Sequence, residues 1–158
     1  MQNKLHFAIT GHTAAELIYS RANHREEHMG LTNWKNSPDG LIYKYDVVIA
    51  KNYLNEEELN KLNDLTNMFL VFAEDEAKER HIMTMQNWIN ATDDLLKFRR
   101  KRVLENSGTI SHQQAMEKAE NEYEKYRLIQ DQHYISTMDE FYDKYLRENN
   151  EMSDENEQ

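Results

Sequence analysis

Apolar residues recur every three to four positions through three long stretches of this chain, with polar residues filling the positions between. That period marks amphipathic helices rather than strands. The longest stretch, 111–147, contains no Gly and no Pro. It predicts one helix of roughly 37 residues, about 55 Å long at 1.5 Å per residue. Ser111 stands three residues before Gln114, a capping-box start. Met116, Tyr123, Tyr134, Phe141 and Tyr145 fall near one face, and Ala115, Ala119 and Tyr126 widen it. A second helix is predicted over 55–80. Asn55 is its cap, and Glu56, Glu57 and Glu58 sit in the first turn, where the helix dipole favours negative charge. Leu59, Leu62, Leu65, Phe69, Phe72 and Ala73 keep helical spacing. Thr84 caps a third, 85–106, through Trp88, Ile89, Leu95, Leu96, Val103 and Leu104, with Gly108 suited to its stop. Short connections predict that the three are antiparallel neighbours.

Before residue 54 the pattern changes. Leu5, Phe7 and Ile9 alternate with His6 and Ala8, which predicts a short strand ended by Gly11. Thr13 and Glu16 make another capping box, opening a helix over 14–23. Gly30, Pro38 and Gly40 break the chain between 24 and 40. Residues 41–45 read as a second short strand, and Asp46 as the cap of a short helix reaching Tyr53. The expected fold is mainly α. A small mixed α/β module, 1–53, precedes an antiparallel bundle of three long helices, 54–148, and an acidic, disordered tail, 149–158.

Composition narrows the chemistry. There is no cysteine, so thiolate catalysis and disulfides are excluded. No apolar run approaches the length of a membrane span, and the N-terminus lacks the plan of a signal peptide. A cytoplasmic protein without metal or cofactor is expected. The formal charge of −10 is uneven: residues 1–53 carry six Lys/Arg and five Asp/Glu, and residues 54–158 carry thirteen and twenty-four. An acidic bundle repels a phosphate backbone. Nucleic acid would have to be met by the near-neutral first third, by a local basic patch or by a longer form of the protein.

The phrases QNKLHFAITGHTAAELI, MGLTNWK, DVVIAKNYLNEEELNKLN and TISHQQAMEKAENEYEKYR resemble the C-terminal part of the virulence-associated RhuM family, across roughly residues 2–130. The motif positions are Thr13, Ala14, Ala15 and Glu16; Met29, Gly30, Leu31, Trp34 and Lys35; and Ala50, Lys51, Asn52, Tyr53 and Leu54. The resemblance implies a preceding region, in full-length relatives, that is taken to be DNA-binding. A fragment or a natural short form is therefore expected here. The resemblance implies no reaction and no catalytic residue. HREEH departs from the family pattern, which weakens any role built on His24 and His28.

Four constellations remain. His24 and His28 have the four-residue spacing of a helical metal site, but the intervening glutamate is displaced from its position in metalloproteases and no third ligand is evident. The better reading is a solvated loop. His12, Glu16, Arg21, Lys35, Lys51 and Asn52 could converge in a polar pocket for an anion or a phosphodiester, or could pair off structurally with Glu16 serving its cap. Lys97, Arg99, Arg100, Lys101 and Arg102 form the one basic run. They are expected either to pair with Glu117, Glu120, Glu122 or Glu124, or to form an anion patch. Met138, Phe141, Tyr142 and Tyr145 lie beyond the reach of the two shorter helices and should pack on residues 1–53 or on a second copy, with a homodimer favoured. Function divides into a protein-interaction or oligomerisation module and, as the alternative, an effector enzyme acting on nucleic acid with its site in residues 1–53.

Overall fold

A computed structural model describes the backbone of residues 2–155 and the side chains of residues 2–147. The described residues form five α-helices: α1 (Gln2–Thr10), α2 (Ala14–Arg21), α3 (Glu56–Lys78), α4 (Met85–Phe98) and α5 (His112–Glu155). Single 3-10 turns lie at Glu27–Gly30 and Ala50–Tyr53, and there is no strand among the described residues. The chain divides into two compact units, Met1–Tyr123 and Glu124–Gln158.

The expected mixed α/β module is therefore wrong: the first third is helical and irregular. Residues 5–9 were open to two periods, and the helical one holds. Leu5 and Ala8 are buried and Ile9 partly so, an i, i+3, i+4 face that packs with Leu62 and Leu65 of α3. A lone strand would leave its ladder groups unpaired. The segment 41–45, its only candidate partner, is irregular chain that leads into a turn over 44–48. Its fold depends on Asp46, which is buried and accepts from the backbone N–H of Tyr43 at 2.9 Å and of Lys35 at 3.0 Å. Asp46 thus joins two loop strands of chain instead of capping a helix.

Local signals placed the starts of the other α-helices. Asn55 and Glu58 form a reciprocal capping box, as do Thr13 and Glu16. Ser111 and Gln114 exchange bonds of 2.9 and 3.1 Å. The third helix stops early, at Phe98. Arg100 takes a left-handed φ of 55°, its N–H donates to the Lys97 carbonyl, and Lys101 N–H donates to the Leu96 carbonyl. This is a Schellman closure made on arginine, where glycine is usual, so no sequence signal marked it. A second one closes α3 at Arg80, with φ 58°.

The core of the first unit gathers Leu5, Ala8, Leu17, Leu54, Leu62, Leu65 and Leu96, drawn from α1, α2, α3, α4 and the turn before α3. Phe69 and Phe72 of α3 meet Trp88 of α4 at 5.7 and 6.1 Å between centroids. The start of α5 buries Ala115, Ala119 and Tyr123. Its polar contacts run to the irregular segment: Tyr123 hydroxyl to the Ile42 carbonyl, Glu120 to Lys44, and Glu122 to His24.

Candidate functional site

The six polar candidates of the first third do not line one cavity. Glu16 and His12 share a cavity of about 540 Å³ with Phe7, Tyr19, Leu104 and Thr109. Both Glu16 oxygens are already committed. One accepts from Thr13 N–H at 2.8 Å, the other from Thr109 N–H at 2.7 Å and its hydroxyl at 2.9 Å. The Thr109 amide, with help from Thr13, holds this carboxyl below its usual range. It is a clamp between α2 and the chain before α5, not a base awaiting a proton. Replacing Glu16 with alanine should cost about 1–2 kcal/mol in urea denaturation.

Arg21 faces away into a fork on Glu58, at 2.7 and 2.8 Å, and donates to the Tyr53 carbonyl at 2.7 Å. Lys35 Nζ lies 5.6 Å from the Tyr45 ring centroid. Asn52 donates to the Asp46 carbonyl at 3.0 Å. Lys51 lines a different cavity, with His6. Trp34 and Tyr53 are buried and bonded to the carbonyls of Gly40 and Val47.

His24 and His28 part company. His24 donates from its ring and its backbone N–H to Glu122 of α5, and Lys118 reaches the other Glu122 oxygen at 3.0 Å. Burial alone would raise the Glu122 carboxyl, but the His24 and Lys118 bonds outweigh it and hold the group far below its usual range. His28 packs on Trp34 at 4.6 Å. Among the described residues no group of three His, Cys, Asp or Glu side chains could hold a metal ion.

Lys97, Arg99, Arg100 and Arg102 are exposed. Two of the glutamates expected to pair with the run are engaged elsewhere: Glu120 meets Lys44, and Glu122 meets His24 and Lys118. Arg102 instead lies over the Phe7 ring at 5.7 Å. Phe98, beside the run, is 81% exposed.

In the second unit, Tyr134, Ile135, Met138, Phe141, Tyr142 and Tyr145 are all exposed. At 100° per residue they fall within about 120° of arc. Phe141 is 68% exposed. The stripe starts after an Arg127–Asp131 pair at 3.6 Å. Asp139, Glu140, Asp143, Lys144 and Arg147 fall outside it.

Fold and site together define an all-helical protein with a bonded polar framework and an exposed apolar stripe on its last helix. The Virulence protein RhuM family matches residues 1–135, and the chain belongs to that family. No curated protein and no solved structure matches it.

Proposed function

We propose that this RhuM-family chain is a non-enzymatic interaction module, and that its partner is a second copy of itself joined along the α5 stripe. The observation that carries the reading is the exposure of six large apolar side chains on one side of a continuous helix. Soluble proteins rarely leave such a face bare. A second copy fits it for a specific reason. The stripe carries no charge between Tyr134 and Tyr145, so two-fold pairing sets no like charges against each other even in a chain of net charge −10. Six such side chains from each copy would bury on the order of 1,200 Å², at the lower edge of stable interfaces. Sedimentation velocity tests it: a dimer is expected at micromolar concentration, and a monomer throughout that range would overturn it.

The dispersal of the six polar candidates and the full commitment of Glu16 favour this reading over an enzyme acting on nucleic acid. Duplex DNA is expected to bind weakly, with a dissociation constant above about 1 μM at physiological salt. The basic run 97–102 would supply what affinity there is. A fluorescence titration checks this, and replacing Arg99, Arg100 and Lys101 should then reduce the salt slope. Among the described residues no helix is long and apolar enough to cross a membrane. The cytoplasm is the proposed location, the family name supplies the link to virulence, and no cofactor enters the proposal.

A further inference from the structure

A cavity of about 430 Å³ lies between α1 and α3, lined by Gln2, Leu5, His6, Lys51, Leu62, Asn63 and Thr66. Its size falls in the range of small-molecule sites, and it sets two leucines, Leu5 and Leu62, among side chains that carry polar groups. Two features of the lining point to an occupant.

The first is His6, only 2% exposed. Its Nδ1 sits 2.9 Å from the Gln2 carbonyl, one turn back along α1. A carbonyl only accepts, so Nδ1 carries the hydrogen, and in the neutral ring Nε2 is left as an acceptor. Nε2 is shut off from solvent and has no hydrogen-bond partner among the described residues. Folded proteins rarely keep a buried acceptor without a donor. The second feature is Lys51, whose ammonium has no carboxylate partner among the described residues and which lines the same cavity. The other polar side chains there are settled or neutral. Thr66 donates its hydroxyl to the Leu62 carbonyl at 2.8 Å, and Gln2 and Asn63 are exposed amides. Gln2, Lys51 and Asn63 are the exposed side chains of this lining.

We propose that this cavity binds a small organic acid that carries a hydrogen-bond donor on an apolar body. The donor satisfies His6 Nε2, the carboxylate meets Lys51 Nζ, and the body lies on Leu5 and Leu62. A purely apolar ligand leaves both polar groups unmet. A ligand with an anion but no donor leaves the buried one unmet, which is the costlier omission. The site lies wholly in the first unit and does not depend on pairing through α5.

The full chain, labelled with ¹⁵N-histidine, is titrated with para-hydroxybenzoate, benzoate and phenol while the His6 ring resonances are followed. The His6 signal is assigned through His6→Gln, and its exposed neighbour is tested through Lys51→Met, a change that leaves the core untouched. Saturable movement of the His6 Nε2 signal by para-hydroxybenzoate is expected, with a dissociation constant below about 1 mM. Benzoate should bind about tenfold more weakly, because it lacks the donor. Lys51→Met should weaken para-hydroxybenzoate about tenfold and leave phenol unchanged. No saturable movement of His6, equal binding of benzoate, or indifference to Lys51→Met would each overturn the proposal. Sedimentation of the same samples reads the dimer separately, so either idea can fail alone.

Discussion

A Phe141→Asp, Tyr145→Asp double variant is expected to sediment as a monomer where the wild type is a dimer. Both side chains are exposed members of the α5 stripe. Burying each large apolar side chain against a partner contributes about 1.5–3 kcal/mol. The double change removes such groups from both copies at once, a loss of about 6 kcal/mol or more, which weakens association by over about four orders of magnitude. The introduced carboxylates would also face their own copies across the two-fold. Glu140→Ala, on the far side of the helix, should leave the dimer intact. The melting of the first unit should be the same in all three proteins. A double variant that still dimerises would remove the stripe from the interface.

Arg21→Met is expected to give a large loss of stability that no binding role would predict. The guanidinium bridges α2 to the cap of α3, holding both Glu58 oxygens and the Tyr53 carbonyl. Removing it leaves a carboxylate and a carbonyl without this donor in a half-covered setting. Breaking a fully buried pair costs about 3–5 kcal/mol; with this pair partly solvated, about 2 kcal/mol is expected. The pH dependence supplies a second check. The Arg21 hydrogen bond, then the Asn55 amide, hold the Glu58 carboxyl below its ordinary value of 4.5, against the effect of burial. A depressed carboxyl contributes stability that is fully present above the unfolded-state value and is lost as pH falls through the folded one. The gap between wild type and Arg21→Met should therefore be full at neutral pH and shrink below about pH 4. A gap independent of pH would mean that the pair contributes through packing of the side-chain stem alone.

Much of the helical layout was legible because its signals are local. The Asn55–Glu58, Thr13–Glu16 and Ser111–Gln114 boxes each need only a span of four residues, and each formed. The long run of α5 needed only the absence of breakers, which carries it to Glu155, past the end expected at 147. The family was legible for a similar reason: its phrases are contiguous stretches of sequence. What failed locally was Leu5 to Ile9, where five residues fit both periods and only the packing of Leu5 and Ala8 on α3 chose between them. The stop at Phe98 failed too, because arginine at a left-handed position carries no signal of its own.

The candidate site divides along the same line. From residue types and motif membership alone, Glu16, Arg21, Lys35 and Lys51 formed a plausible group. Whether charged side chains meet depends on contacts made far apart in the chain. Thr109 takes Glu16 and Glu58 takes Arg21, and neither partnership has a spacing that the sequence displays. His24 with Glu122, 98 residues apart, and the lone Nε2 of His6 are likewise products of packing. The sequence by itself determined where the capped helices begin, which of their faces are apolar and which family the chain resembles, since these follow from neighbours within a few turns. The tertiary structure alone decided which polar groups were satisfied and which remained open, because a hydrogen bond is short and directional and only the fold brings its two ends together.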